Sequence, residues 1–181
     1  MTQYTDRHKE TGIAKPSILS GLPSLRMIPL PLCNGHNLMH LIAFNKTDLI
    51  LSLWRGKMTC KATDDRETWD WAVLQGDVWL HHGETVAQAT PYLPGSFDVP
   101  PRNPAEKISS GYKAWEYLTY VFVLGPGLFY KVLPDRYFFH FCKFVSAIRI
   151  LHQHAITREE LTHTHQLLVE YVQEFEELYY Q

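Results

Sequence analysis

Apolar residues recur at three- and four-residue intervals through most of this chain, and the places where that rhythm fails mark its joints. Residues 35–45 open the helical part, with Asn37 and His40 three apart, so that on an α-helix their side chains share a face. Residues 47–56 follow as a second helix, with Thr47 as N-cap, Asp48 in the first turn and Gly56 as the stop. Asp64 or Asp65 is placed to cap a third helix through Trp69, Trp71, Leu74, Val78 and Val86, within which Gly76 and Gly83 each cost about 1 kcal/mol relative to alanine. Pro91 ends it. Tyr112, Trp115, Leu118 and Phe122 predict a helix over 110–124 that Gly125, Pro126 and Gly127 stop or sharply kink. Pro134 precedes a stripe of Phe138, Phe141, Val145, Ile148 and Leu151 or His152. Thr157 and Glu160 form a capping box ahead of Leu161, Leu168, Val172, Phe175 and Tyr179.

Two stretches break the pattern. Residues 1–35 carry Pro16, Pro23, Pro29 and Pro31 with Gly12, Gly21 and Gly35, which forbids a long helix and predicts an extended Pro-rich lead-in. Within it, 24–32 could form one short edge strand. Residues 91–104 are dense in proline yet contain Tyr92, Leu93, Phe97 and Val99, which suits an ordered loop pinned to the body. Such a loop is either functional or a connector laid across helix ends. The expected organisation is a lead-in over 1–35 and a mainly α domain over 36–181, an irregular bundle of about six helices.

A chain of 181 residues with 45% hydrophobic and 20% charged residues can bury a core, and 13% aromatics predict aromatic packing between helices. The net charge of -2, without a Lys/Arg cluster, disfavours a self-sufficient nucleic-acid binder. Cys33, Cys60 and Cys142 are too scattered for a disulfide framework and point to a reducing compartment, cytosol or nucleus. No apolar run is long enough to cross a bilayer, and residues 1–10 are too polar for a secretory signal. The last helix is still apolar at Leu178, Tyr179 and Tyr180 when the sequence stops, which reads as a chain cut short.

Chemistry is harder to find. Ten histidines include the pairs 81/82, 152/154 and 163/165, but neighbours one or two apart face different ways on a helix. Only His36 and His40 stand at i and i+4, and they lack the glutamate of a zinc-protease helix. No nucleophile elbow and no phosphate-binding glycine loop occurs. Glu170, Glu174, Glu176 and Glu177 could ligate a metal or form a solvated helix face. His40 sits among Leu38, Met39, Leu41, Ile42 and Phe44, where a histidine hydrogen-bonded at a core edge competes with a site residue.

Several blocks taken together resemble a known family. Residues 35–45 and 48–56, then 69–76, 91–98, 101–116, 133–135, 148–153 and 174–181, are similar to the En/Spm (CACTA) class of DDE transposases in the form common in fungi. The similarity covers nearly all of the chain from Gly12 onward. The resemblance implies full-length relatives that cut and join DNA in the nucleus, with three carboxylates on a ribonuclease H-like sheet holding two Mg²⁺ or Mn²⁺ ions. It implies further that this chain lies between the second and third acids, a helical insertion with no metal or cofactor of its own and no catalysis alone. The family has a motif of Asp or Cys, two residues, then His. Here Asn37 takes the first place and His40 the last, so His40 becomes the candidate vestigial active-site support and Asn37 the point of departure. Two further expectations stand beside this one: a helical interaction or dimerisation module, motivated by the aromatic stripes and the apolar end at Tyr179 and Tyr180, and residual DNA binding through scattered Lys and Arg.

Overall fold

The computed structural model describes residues 39–97 and 99–180, and every regular element among them is helical. They belong to the second of two compact units into which the chain divides, Leu38–Gln181. The lead-in over 1–35 and the strand expected over 24–32 lie outside the described residues, as do His36 and Asn37.

The chain enters through Met39–Lys46, which is π-wound, and runs on without a break into α1 (Thr47–Trp54). Thr47 therefore does not cap a helix. Lys46 before it is already helical, and the Thr47 hydroxyl donates to the Ile42 carbonyl five residues back at 3.0 Å. The wider winding brings Ile42, Ala43 and Thr47 onto the buried face that α1 continues with Ile50, Leu51 and Trp54.

The third helix begins later than its apolar spacing predicts. Asp65 does act as a cap, accepting from the Glu67 amide at 3.0 Å, but only for a single 3₁₀ turn, Arg66–Thr68. Trp69, Trp71 and Leu74 then pass in non-helical backbone, and the Leu74 N–H donates to the Trp54 carbonyl at 2.7 Å. Helix α2 (Gly76–Gln88) starts only after Gly76, whose φ of 50° a side chain would strain. Its buried stripe is Trp79, His82, Gly83 and Val86, which leaves Val78 exposed.

A 3₁₀ turn at Thr90–Tyr92 leads into the irregular segment before α3 (Pro104–Lys107), where Asn103 Oδ1 accepts from the Ala105 amide at 2.8 Å and Pro104 occupies the first turn. Gly83 of α2 faces this cap, and a Cβ there would lie 2.2 Å from Asn103 Oδ1 and 2.6 Å from the Ala105 Cβ. The glycine that weakens α2 as an isolated helix is what lets α3 approach it.

Next, α4 (Ala114–Tyr117), a second π-wound stretch (Leu118–Leu124) and α5 (Gly125–Leu128) form one continuous helical run. Gly125, Pro126 and Gly127 do not stop it. In α register the amide facing the Phe122 carbonyl would belong to residue 126, a proline, and Arg149 supplies a donor instead, Nε to Phe122 O at 2.9 Å. The change of winding and the outside donor together carry the helix through the proline.

The last two helices, α6 (Asp135–Leu151) and α7 (Arg158–Tyr179), pack along one another as a hairpin. His140 stacks on Tyr171 at 4.2 Å between ring centroids, with its Nε2 2.9 Å from the Tyr171 carbonyl, and Phe144 stacks on the same ring at 4.8 Å. Thr157 and Glu160 make the capping box that starts α7. Trp54 ties the hairpin to α1: its ring meets Phe129 at 4.9 Å and Phe141 at 5.4 Å, and its Nε1–H donates to the Tyr179 hydroxyl at 3.1 Å. Burial of one such large side chain contributes about 1.5–3 kcal/mol.

Of the apolar end of α7, Tyr180 is exposed and Tyr179 is not. Tyr179 turns inward against Trp71, Tyr137 and Phe175. Leu161 and Val172, placed by spacing on the core face, are instead exposed.

Candidate functional site

His40 lies on the first π-wound segment with its side chain exposed, and Asn37 lies outside the described residues. The α-helical geometry that would make the two converge does not apply from Met39 onward, because the winding there is π. His81 and His82 diverge as adjacent helical residues must: His81 is exposed and His82 buried. No group of three His, Cys, Asp or Glu side chains suited to a metal occurs among the described residues.

Of the four glutamates considered as metal ligands, Glu170 and Glu174 share a lysine. Lys143 bonds Glu170 at 3.1 Å and also Glu174, joining α6 to α7. Asp70 receives Arg136 and the Tyr137 hydroxyl.

A buried polar assembly that spacing does not reveal joins the irregular segment before α3 to the start of α4. Glu116 is fully buried, and Arg102 grips it with Nε to Oε1 at 2.7 Å and Nη2 to Oε2 at 2.6 Å. The Arg102 and Lys113 backbone amides add bonds at 3.1 and 2.8 Å, so Glu116 also closes the first turn of α4 from its third position. Arg102 Nη2 reaches the Gly111 carbonyl, and the Tyr112 hydroxyl donates to the Arg102 carbonyl at 3.0 Å. Burial pushes the Glu116 pKa up, but the hydrogen bonds and charge of Arg102 with the two amides more than offset this and hold it below its ordinary value. A carboxylate so fully bonded has no lone pair to spare for proton transfer or metal. It is a clasp.

His82 forms a second buried polar contact, with Nε2 2.8 Å from the Tyr120 hydroxyl and its ring between Trp79 and Phe129. Burial, with a smaller contribution from His81, lowers its pKa to about 4, and burial raises that of Tyr120 well above the usual range. In the sequence His82 stands out only as one of an adjacent histidine pair and Tyr120 not at all, since each finds its partner on a distant segment.

Open concavities lie elsewhere. One, of about 220 Å³, is enclosed by the loop carrying Met58, Cys60 and Asp64, by Trp69 and Trp71, and by Tyr179 and Tyr180 at the end of α7. A second, of about 240 Å³, is formed by Phe97, Leu118, Phe122 and Ile148, with Arg149 and His152 at its edge.

No family model, curated protein or solved structure matches this chain. The arrangement is thus the guide to what it does. Among the described residues several basic side chains are bonded inside the unit: Arg102 to Glu116, Arg136 to Asp70, Lys143 to two glutamates, Lys131 to Asp135, and Arg149 to backbone carbonyls. No helix among them is long and apolar enough to cross a membrane.

Proposed function

We propose that this chain supplies the helical insertion region of a CACTA-type DDE transposase and acts as a non-catalytic scaffold, working in the nucleus beside DNA in the context of its relatives. The observation that supports this reading is that the blocks carrying the resemblance meet in space. Trp54 from 48–56 accepts the Leu74 amide from 69–76 on its carbonyl and donates its indole N–H to Tyr179 from 174–181. Arg102, Tyr112 and Glu116, all from 101–116, form the buried clasp. On this reading the stretches that resemble the family are the ones that build its core.

On this reading the metal-binding carboxylates belong outside the described residues, and His40 supports the fold. The test is incubation of the purified chain with duplex and single-stranded DNA in Mg²⁺ or Mn²⁺, beside a His40→Ala control. No cleavage is expected from either. Cleavage by the parent chain that the variant loses overturns the scaffold reading.

A second reading, a helical self-association module, is favoured by Leu161 and Val172, which are 57% and 56% exposed and, eleven residues apart, share a face of α7. Light scattering over a concentration series checks it. A mass that rises with concentration in the parent and stays monomeric in Val172→Glu supports association, and a strict monomer throughout rules it out.

A further inference from the structure

We propose that the cavity between Asp64, Trp69, Trp71 and the end of α7 is a binding site for a methylated ammonium group. The inference stands apart from the transposase reading and rests on what lines the cavity. Four aromatic side chains contribute: Trp71, only 3% exposed, at the floor; Trp69 and Tyr179, partly exposed; and Tyr180, 74% exposed, at the mouth. Aromatic faces carry negative electrostatic potential, and Met58 adds a polarizable sulfur.

Asp64 supplies the only formal charge in the lining among the described residues. Its Oδ2 accepts the Lys61 amide at 2.8 Å, while Oδ1 has no hydrogen-bond partner among the described residues. A cavity lined by aromatic rings and one carboxylate favours a cation.

The kind of cation follows from what the cavity lacks. Besides Asp64 the lining offers the Thr59, Tyr179 and Tyr180 hydroxyls and the Cys60 sulfur, of which Tyr179 already accepts from Trp54 and Cys60 from Arg66, so a primary ammonium would lose hydration without regaining all its hydrogen bonds. A quaternary or trimethylated nitrogen spreads its charge over methyl groups, makes no such bonds in water, and gains both from aromatic contact and from the nearby carboxylate. The volume of about 220 Å³ is many times the roughly 10–15 Å³ that a cavity needs to hold one water, enough for a trimethylammonium head and a short stem.

Arg66 is the neighbouring cation and does not line this cavity. It is tethered by its Nε to Cys60 Sγ at 3.2 Å and by Nη2 to the Met58 carbonyl at 3.4 Å, and it belongs to the adjoining groove with Glu67 and Gln75. Its guanidinium carbon stands 5.7 Å from the centre of the Trp69 ring, which also stacks on Trp71 at 5.6 Å.

The experiment titrates the chain at constant ionic strength with choline, with 3,3-dimethylbutan-1-ol, its neutral carbon counterpart, and with a Gly/Ser-flanked trimethyllysine peptide, by calorimetry and tryptophan fluorescence. Choline or the peptide is expected to bind at least about tenfold more tightly than the neutral alcohol. Asp64→Asn, which keeps an oxygen for the Lys61 amide and removes the charge, is expected to weaken the cation about tenfold and leave the alcohol unchanged. Tighter binding of choline assigns the site to a free small molecule, tighter binding of the peptide assigns it to a protein side chain, and equal binding supports the shared head group. Equal affinity for cation and alcohol, no binding to a chain whose circular dichroism is native, or cation binding untouched in Asp64→Asn overturns the proposal.

Discussion

Arg149 on α6 donates its Nε–H to the carbonyl of Phe122 at 2.9 Å, the acceptor that Pro126 leaves without its α-register amide. A donor from a neighbouring helix thus replaces one that the local sequence removed, and it also binds α6 to the π-wound run. Arg149→Ala should destabilise the unit by about 1 kcal/mol. Pro126→Ala restores a backbone N–H at that place, so the same arginine substitution should cost less in a Pro126→Ala background. Urea denaturation of the four chains of this cycle measures the difference, and strict additivity would show that the two groups do not share the carbonyl.

Glu116 is the buried half of the clasp with Arg102. Its pKa is lowered in the folded chain, so its contribution is present above its ordinary value of 4.5 and is lost as pH falls through the folded value. Glu116→Gln should cost about 1–3 kcal/mol at pH 7, by weakening the bonds from Arg102 and from the Lys113 amide. The gap in thermal midpoint between parent and variant should close as the pH is taken below 4.5. A gap independent of pH would mean that packing, not charge, sets the loss.

His82 acts at higher pH. Its folded pKa of about 4 lies below the ordinary 6.5, so the unfolded chain binds more protons between those values. Stability is therefore whole above 6.5 and falls progressively toward pH 4, by about 3 kcal/mol in all. Denaturant midpoints across this window should fall more steeply for the parent than for His82→Gln, and the imidazole resonance of His82 should titrate near 4.

Gly83→Ala should destabilise the chain although alanine is the better helix former by about 1 kcal/mol. The new methyl would enter the space of Asn103 Oδ1 and the Ala105 Cβ, and displacing the α3 cap should cost about 1–3 kcal/mol net. A rise in thermal midpoint for Gly83→Ala would place α3 farther from α2 than the structure has it.

The mainly helical class, the stripe of α6 and the capping box of α7 were legible because each depends on residues close in sequence: Phe141, Val145 and Ile148 recur at helical intervals, and Thr157 and Glu160 lie within one turn. Spacing misplaced what depends on distant partners. The stretch with Trp69, Trp71 and Leu74 has helix-like intervals, yet it runs through tight turns and its Leu74 amide pairs with the Trp54 carbonyl instead of within a helix. Val172 fits the apolar period of α7 as well as Leu168 does, but only the position of α6 decides which is covered, and Val172 is left in solvent.

The candidate site divides in the same way. His40 could be singled out by its neighbours in sequence, whereas the cavity at Asp64 joins a loop, a tryptophan pair and the last turn of α7, separated by more than a hundred positions. Local hydrogen bonding and hydrophobic period are properties of contiguous residues, and so the chain's order settled its mainly helical class, the capping box of α7 and the stripe of α6. Winding at Thr47 and Pro126, burial of Glu116 and His82, and the assembly of that cavity require acceptors, donors and walls brought from elsewhere in the fold. Packing alone supplies them.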